Sequence, residues 1–471
     1  MLAVVGDHMW AAKKGLDALV VDWDEGPNAR ISSKDIWQDL RAASEKDGAV
    51  AKSTGDIAKG LATGERLDAS YELPFLAHAT MEPPGAQISI EKDKAVLIAS
   101  LQSPSGASQI ISNLTGIPRK DIEIRLTRSG GGFGRRLKND FVAEATLIAK
   151  AAGAPVKLIW TREDDLQHDF FRPFGVHALS AALDRKKKIV GWSHRCAATP
   201  RNYRDRGMAE GKTPLYVGCV EPDDFPAGLV ANLEKTFFPI ASGMPRGWWR
   251  GPIHTFHAFA VQSFIDEIAI ATKQDAVQLR LDLLGPPRRM PYEGSDQPGF
   301  DTGRLAGVLQ LAADKIGWKD KRSDGHGLGI ACHFTFGGYA AHAFEVSVEG
   351  TGLVIHRAVC AVDVGRVVNP LGVEAQMMGG TLDGISTAMN LAITLKDGQV
   401  QQRNFGDYPL MRMAQSPQSV EVYIVESTEE PSGAGEIGVP SAAPALANAI
   451  YAATTVRVRK LPLLAELKRL L

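Results

Sequence analysis

The stretch SGGGFGRR, residues 129–136, combines four glycines with Arg135 and Arg136 and could bind an anion. Glycine lets backbone N–H groups turn toward a ligand, and the N-terminus of a following helix favours negative charge. The spacing does not fit the dinucleotide fingerprint, and no Gly-Lys-Ser/Thr follows as in a phosphate-binding loop. The sequence therefore predicts an anion-binding turn, with a purely structural glycine turn as the alternative. We call it the first glycine turn.

Three later segments repeat this combination. The tryptophan turn, SGMPRGWWRGPIHTF, spans residues 242–256, and the QMMGG segment, EAQMMGGTLDGIS, spans residues 374–386. The glutamate turn, SGAGEIG at residues 432–438, places Glu436 between glycines just before an alanine-rich helix. Glycine-lined turns so far apart in the chain predict one large, elongated ligand that is held by backbone atoms from several loops.

The elements around these turns indicate a mixed fold. DIEIRLTR is typical of a strand, DFVAEATLIAKAAG of a helix that ends at Gly153, and PVKLIWTRE of the next strand, so the first glycine turn lies inside a β-α-β unit. Residues 1–27 read as a further β-α-β pattern and residues 28–66 as a polar surface connection. AVQSFIDEIAIATKQDAVQLRLDLLG predicts one long helix or two consecutive ones, and AHAFEVSV and LVIHRAVCAVDVG predict strands.

Composition excludes several classes of protein. The 471 residues carry 53 basic and 54 acidic side chains, a net charge of -1, which argues against a broad nucleic-acid surface. No run of about 20 apolar residues predicts a membrane span, and the first residues do not resemble a signal peptide. The four cysteines show no zinc or iron–sulfur spacing and are expected to be buried reduced thiols; they are Cys196, Cys219, Cys332 and Cys360.

Taken in order, GGGFGRR, WRGP, DVGRVVNP with QMMGG, and GAGEIG resemble the molybdenum hydroxylases of the xanthine dehydrogenase and aldehyde oxidase family. HATMEP, TREDD and FIDEIA are similar to the branch that includes the isoquinoline 1-oxidoreductase beta subunit. The resemblance implies an α+β, multi-domain, molybdopterin-binding fold. It implies a remnant of an upstream domain at residues 1–66, a first molybdopterin-binding domain at 67–290 and a second at 291–471.

The family resemblance also implies a cofactor and a reaction. The cofactor would be molybdopterin, in bacteria its cytosine dinucleotide form, whose dithiolene holds the molybdenum without a protein ligand to the metal. The reaction would add a water-derived oxygen to an aldehyde or an N-heteroaromatic substrate. Electrons would leave to a small subunit with 2Fe–2S clusters, in some relatives followed by a cytochrome c subunit.

Residue roles follow from the same resemblance. Glu436 matches the general base, and its glycine-rich, apolar surroundings predict a raised pKa. Gln102 matches a glutamine that hydrogen-bonds an oxo ligand of the metal. The other positions matched to cofactor contacts are Gly132, Phe133, Gly134, Arg135, Arg250, Gly251, Gln376, Gly379, Gly380 and Gly435.

Several residues keep a second interpretation. His78 and Glu82 could suggest a metal pair, but structural hydrogen bonds are favoured. Trp248 and Trp249 either shape a substrate funnel or fill the core. The acidic run at residues 163–165 is expected to be a solvated loop. Asp383 stands where many relatives carry glutamine, so the contacts of the QMMGG segment are in question.

A cofactor-contacting loop that relatives carry upstream is not found in this sequence. Two interpretations follow: a split large subunit that a companion chain completes, or a truncated, non-catalytic molybdopterin-binding subunit. A nucleotide-binding protein of another class is a third. Without a leader or a span the chain is expected in the cytoplasm, or in the periplasm if it is exported with a partner.

Overall fold

A computed structural model of the chain describes residues 2–200, 220–292, 299–350 and 352–471. The described α-helices are α1 Met9–Asp17, α2 Ser33–Ser44, α3 Ile57–Leu61, α4 Pro104–Thr115, α5 Asp140–Ala152, α6 Arg162–Gln167, α7 His254–Thr272, α8 Ala276–Leu284, α9 Thr302–Ile316, α10 Pro370–Asn390, α11 Ala442–Thr454 and α12 Leu463–Leu470. The described strands are β1 Ala49–Thr54, β2 Glu65–Leu73, β3 Gly85–Ile90, β4 Ala95–Ala99, β5 Ile122–Leu126, β6 Val156–Ile159, β7 Gly175–Leu183, β8 Ile189–Ala198, β9 Asn232–Pro239, β10 Arg289–Met290, β11 Phe300–Asp301, β12 His326–Thr335, β13 Gly338–Glu349, β14 Gly352–Asp363, β15 Leu395–Lys396, β16 Gln399–Val400 and β17 Ser419–Ile424.

A small four-stranded sheet of order β5-β4-β3-β6 carries the first glycine turn. Helices α4 and α5 cover it, with Phe141 and Val142 of α5 in the same buried cluster as Ile88 and Leu97 of the sheet. Because β5 precedes the turn and α5 follows it, the predicted strand, turn and helix are confirmed. Gly153, at φ 62°, ends α5 as expected.

The second sheet has the order β1-β9-β8-β7-β2 and packs on α7. Trp192 of β8 meets Phe264 with ring centroids 5.3 Å apart, and Tyr71 of β2 meets Phe259 at 5.8 Å. Helix α7 is apolar on nearly all sides and most of its residues are buried, as expected for a helix inside a core. Its first residue follows directly on Ile253, so the tryptophan turn is held at the end of a rigid core helix.

The third sheet, β12-β13-β14-β17, is antiparallel except for the parallel β14–β17 pair. Helix α11 approaches β12 so closely that Cβ atoms on Gly327 and Gly329 would lie 2.3 and 2.1 Å from backbone nitrogens of the helix. This packing fixes the position at which α11 begins. The glutamate turn comes just before that helix, so the sheet determines where the turn lies.

Parts of the sequence interpretation were wrong. Residues 2–8 and 18–25 form no strand, because no neighbouring strand pairs with them, and α1 buries none of its residues. The expected surface connection at 28–66 instead contains α2, which buries Ile36 and Leu40, and β1, which pairs with β9. The long helical pattern is two helices, since Asp275 caps α8 just after α7 ends.

Among the described helices, none combines the length and the apolarity that crossing a bilayer requires.

Candidate active site

The first glycine turn is fastened to Gln102. The side-chain oxygen of Gln102 accepts hydrogen bonds from the backbone N–H groups of Gly134 and Arg136, each at 3.2 Å. A Cβ atom on Gly132 would lie 2.6 Å from the same oxygen, so a larger residue there would displace the Gln102 side chain. Phe133, at φ 53°, is 39% exposed at the tip of the turn. The structure therefore brings together Gln102 and three of the four turn residues that the sequence assigned to the site, namely Gly132, Phe133 and Gly134.

The two arginines of the turn face inward. Arg135 is fully buried and donates two hydrogen bonds of 2.8 Å to Asp140, while its Nε lies 3.1 Å from Asp169. Arg136 donates to the carbonyl oxygen of Glu82 at 2.7 Å and to its carboxylate at 3.0 Å. Both guanidinium groups are paired with protein carboxylates, so the backbone of the turn is the part that faces a ligand, and Arg135 as a cofactor contact stays a prediction. Arg135 holds the shape of the turn and does not offer its guanidinium to a ligand.

His78 and Glu82 make structural hydrogen bonds, which is the interpretation that the sequence favours over a metal pair. His78 Nδ1 lies 2.9 Å from Asp169 Oδ2, and its Nε2 lies 2.6 Å from the carbonyl oxygen of Trp248. The carboxylate of Glu82 accepts a 2.7 Å hydrogen bond from the N–H of Gly130. Both side chains are thus occupied in joining separate segments. Sequence reasoning missed Asp169, which binds both His78 and Arg135 and lies in no recognisable motif.

The first glycine turn and the tryptophan turn contact each other through their backbones. A Cβ atom on Gly134, where φ is 109°, would lie 1.7 Å from the carbonyl oxygen of Trp248. Trp249 is 2% exposed and packs in the core, in agreement with the core-filling interpretation. Trp248 is only half-buried, and Lys138 Nζ lies 4.6 Å from its ring centroid. Only Trp248 therefore remains available to border a ligand.

Arg250 connects the tryptophan turn to two other segments. Its Nε donates to the carbonyl oxygen of Gly435 at 2.6 Å, and its Nη2 donates to Gln376 Oε1 at 2.9 Å. Its Nη1 lies 3.5 Å from Asp383 Oδ2 and 4.0 Å from the position of a Cβ atom on Gly379. Burial raises the pKa of Asp383, and the charge of Arg250 acts in the opposite direction. Asp383 therefore makes an ion pair here that a glutamine could not make.

The QMMGG segment is a helix and not a turn. It lies within α10, which Asn369 caps by accepting a hydrogen bond from the N–H of Gly372. A Cβ atom on Gly380 would lie 3.0 Å from the carbonyl carbon of Gly438, in the glutamate turn. The expected turn was wrong because Gly380 serves close packing of a helix against a loop, which overrides the low helix propensity of glycine.

Glu436 lies beside the tryptophan turn. Its Oε1 accepts a 3.4 Å hydrogen bond from the N–H of Gly251, and the side chain is partly exposed. Cβ atoms on Gly433 and Gly435 would meet no atom within 4 Å, so the turn borders open space on that side. The N–H of Gly251 thus orients one oxygen of the carboxylate. The raised pKa expected for Glu436 stays a prediction.

The acidic run is not a solvated loop. It opens α6, where Thr161 and Asp164 form a reciprocal capping box, a signal that the T-x-x-D spacing carries in the sequence. Asp165 is fully buried and 2.5 Å from Arg162 Nη1. Burial, reinforced by the charge of Asp169, raises the pKa of Asp165 to about 7.

The cysteines behave as expected where they can be described. Cys196, Cys332 and Cys360 are buried and form no disulfide with a described residue, and Cys219 lies outside the described residues. Burial raises the pKa of Cys332 to about 11. The Cys332 thiol is therefore protonated and unreactive at neutral pH.

The four segments form one continuous series of contacts. Gln102 holds Gly134, Gly134 touches Trp248, and two residues further Arg250 holds Gly435 and Gln376. The residues along this series suit a large pterin ligand. Open space borders the glycine backbone at Gly433 and Gly435. Gln102 is exposed, and its Nε2 makes no hydrogen bond with any described residue, so it can donate one to a ligand.

Comparison with known proteins agrees with this geometry. Residues 42–217 and 307–417, together more than half of the chain, each match a family described as molybdopterin cofactor-binding domain. The chain is 31% identical to isoquinoline 1-oxidoreductase subunit beta of Brevundimonas diminuta, over 99% of this chain and 60% of the relative. It is 30% identical to the membrane-bound aldehyde dehydrogenase (pyrroloquinoline-quinone) of Gluconacetobacter polyoxogenes, over 98% of this chain and 62% of the relative. It thus spans about three-fifths of the length of these relatives.

The fold is shared with a solved structure as well. Quinoline 2-oxidoreductase from Pseudomonas putida 86 superposes with a TM-score of 0.77 at 14% identity, over 98% of this chain and 84% of that one. The expected α+β molybdopterin-binding fold is confirmed. The chain belongs to the molybdopterin-binding large subunits of the xanthine dehydrogenase and aldehyde oxidase family.

Proposed function

We propose that this chain is the catalytic, molybdopterin-binding part of a molybdenum-dependent oxidoreductase that oxidises an aldehyde or an N-heteroaromatic compound with oxygen from water. One observation carries the proposal: Arg250 joins the tryptophan turn, α10 and the glutamate turn, which places Glu436 beside the backbone of Gly251. The relatives whose names are isoquinoline 1-oxidoreductase and aldehyde dehydrogenase support the two substrate classes.

The residues that would hold the cofactor are those along the contact series. The N–H groups of Gly132 and Phe133 offer donors to an anionic ligand, and Gln102 offers its Nε2 amide. Gly134 and Gly251 border the same ligand, while their N–H groups hold Gln102 and Glu436 in place. The other proposed contacts are Phe133, Gln376, Gly379, Gly380 and Gly435. We propose the cytosine dinucleotide form of molybdopterin. When bound, the molybdenum cofactor supplies two-electron oxidation and the activation of water.

Glu436 acts as the general base in this proposal. Its Oε1 is oriented by the N–H of Gly251, so the carboxylate keeps one direction while it accepts a proton from the attacking water. Partial exposure of the side chain lets the proton return to solvent. Arg250 positions Glu436, because it holds the carbonyl group of the preceding residue.

Electrons are proposed to leave to a partner subunit with 2Fe–2S clusters, with a cytochrome c subunit as a further acceptor. The name of the isoquinoline 1-oxidoreductase relative, subunit beta, supports assembly with another chain. A companion chain that supplies further cofactor contacts is part of the same proposal. The alternative of a non-catalytic molybdopterin-binding subunit predicts bound cofactor without turnover.

The test is analysis of the full chain isolated with its partners from a host that makes the cofactor. Molybdenum, released pterin and released cytidine nucleotide are quantified, and turnover of an aldehyde and of an N-heterocycle is assayed. About one molybdenum and one pterin per chain, with turnover, are expected. Pyrroloquinoline quinone without molybdenum would contradict the proposal, and molybdenum without turnover would favour the non-catalytic alternative.

A further inference from the structure

A buried cluster of metal-ligating side chains lies just beyond the tryptophan turn. Asp224 comes from the segment before β9, His254 from the first turn of α7 and His333 from β12. Their exposed fractions are 1%, 7% and 4%. Three segments that are far apart in sequence thus bring one carboxylate and two imidazoles to one buried point.

The distances in this cluster match those of a ligand set. His254 Nδ1 lies 3.1 Å from His333 Nε2 and 3.4 Å from Asp224 Oδ2, and the three ligand atoms all lie within 4.8 Å of one another. Ligand atoms that each lie about 2.0–2.2 Å from one zinc ion are separated by about 3.3–3.6 Å in a tetrahedral site. Little movement would therefore be needed to bind an ion.

Asp224 supplies an independent observation. Its Oδ2 is buried and accepts no hydrogen bond of good geometry from the described residues, whereas its Oδ1 accepts one of 2.6 Å from Tyr292. The imidazoles of His254 and His257 face this oxygen at 3.4 and 4.0 Å, longer than a good hydrogen bond, and a cation would satisfy it more closely. Tyr292 also orients the carboxylate, as outer hydrogen bonds orient metal ligands.

The surrounding groups leave room for this interpretation. Lys235 directs its ammonium group to the main-chain carbonyl oxygens of Asp224 and Glu221, and not to the carboxylate of Asp224. His257 Nε2 lies 4.0 Å from Asp224 Oδ2, so a further imidazole stands near the cluster.

We propose that Asp224, His254 and His333 bind one divalent transition-metal ion, of which zinc is the best match, at a site separate from the molybdopterin contacts. Two imidazoles and a carboxylate without thiolate suit zinc and its first-row neighbours. The ion ties α7 to β12 at the residue after Ile253, whose φ of 65° is unusual for a branched side chain. It thereby steadies the backbone that carries Arg250 and Gly251.

The experiment uses the full chain, stripped with a chelator and titrated with Co²⁺ as a spectroscopic probe and then with Zn²⁺ in competition. About one Co²⁺ per chain is expected, with visible absorption bands, displacement by Zn²⁺ and a raised melting temperature. Asp224→Asn and His333→Gln should each weaken binding at least about tenfold. The control is His342→Gln, since His342 is equally buried but hydrogen-bonded to Ser441 and Thr381 instead.

The proposal would be overturned if the wild-type chain did not bind Co²⁺ or Zn²⁺ stoichiometrically. A direct hydrogen bond between His254 and His333 would then explain why the two imidazoles lie so close together. Unchanged affinity in folded Asp224→Asn and His333→Gln would overturn it too. If those variants do not fold, X-ray absorption at the zinc edge of the wild-type chain identifies the atoms that bind the ion. Nitrogen and oxygen ligands alone are expected, and a sulfur ligand would contradict the assignment. Molybdenum is quantified separately, so the result does not depend on the proposed function.

Discussion

Arg250 Nε donates a 2.6 Å hydrogen bond to the carbonyl oxygen of Gly435, a residue 185 positions further along the chain. The same guanidinium reaches Gln376 on α10 through Nη2. Since Gly435 immediately precedes Glu436, the position of the proposed base depends on an arginine in a different turn. A planar group with several fixed donors is required for this bridging, and only arginine supplies it.

We therefore expect Arg250→Lys to keep the positive charge but lose the bridge. A single ammonium nitrogen cannot span Gly435 and Gln376 with the same geometry, so kcat should fall at least about tenfold because the base is misplaced. Steady-state kinetics at known molybdenum content measures this. The matched control is Arg289→Lys, because Arg289 makes an exposed 2.6 Å ion pair with Glu429 and should tolerate the change. Equal kcat for Arg250→Lys and wild type would refute the bridging role.

Gly134→Ala tests the contact between the first glycine turn and the tryptophan turn. The new methyl group would lie 1.7 Å from the carbonyl oxygen of Trp248, and φ at this position is 109°, so the two backbones must separate. Retained molybdopterin, measured as released pterin per chain, should fall severalfold.

The control for that change is Gly153→Ala, which also places alanine at positive φ, 62°, but with no atom within 4 Å. It should lower the free energy of unfolding by about 1 kcal/mol and leave the pterin content unchanged. Equal pterin content in the two variants would show that the contact between the turns does not matter.

Gln102→Glu tests the Nε2 donor of this side chain independently of its Oε1 acceptor. The acceptor for the N–H groups of Gly134 and Arg136 is kept, but the Nε2 donor is lost. The melting temperature should stay close to that of wild type while kcat falls about tenfold, the effect of removing one hydrogen bond to a ligand. Gln102→Leu is the comparison, since it leaves two buried N–H groups unpaired and should cost about 1–3 kcal/mol of stability. A fully active Gln102→Glu would remove Gln102 from the ligand contacts.

Asp165 predicts how stability depends on pH. Its pKa is about 7 in the folded chain, mainly through burial, and about 4 when unfolded. Between these two pH values the folded chain therefore binds more protons than the unfolded chain. Because of this difference, the free energy of unfolding falls as pH rises through that window.

Asp165→Asn should accordingly gain in melting temperature relative to wild type between about pH 4 and about pH 7, on the order of 2 °C. Thermal unfolding followed at several pH values gives the difference. Asp324→Asn, at an exposed position, should show no such trend. A difference that is constant with pH, or that falls as pH rises, would be incompatible with the raised pKa.

The strand, turn and helix around the first glycine turn could be predicted because they depend on local periodicity and on a helix-ending glycine. The helical QMMGG segment could not, because Gly380 fits a helix only through its close approach to Gly438. Likewise, the inward direction of Arg135 depends on Asp169, 34 positions away, which no local pattern links to it. The order of the motifs along the chain predicted which residues share the site. The ion pairs around those residues could be identified only in the tertiary structure.

The segments at residues 2–27 mark another limit of sequence reasoning. Apolar runs there have strand-like composition, but a strand exists only where a neighbour pairs with it, and Val20 is fully exposed. The capping box at Thr161, by contrast, is encoded in the T-x-x-D spacing alone, although an acidic run usually faces solvent.

The most direct test of the account is kcat of Glu436→Gln against wild type at equal molybdenum and pterin content. Glutamine keeps the size of the side chain and its acceptor for the N–H of Gly251, but it cannot take a proton. We predict a loss of about 100- to 10,000-fold with unchanged cofactor content, and no loss for Glu430→Gln, an exposed position six residues earlier in the chain. A Glu436→Gln protein that turns over an aldehyde or an N-heterocycle at nearly the wild-type rate would contradict the central claim.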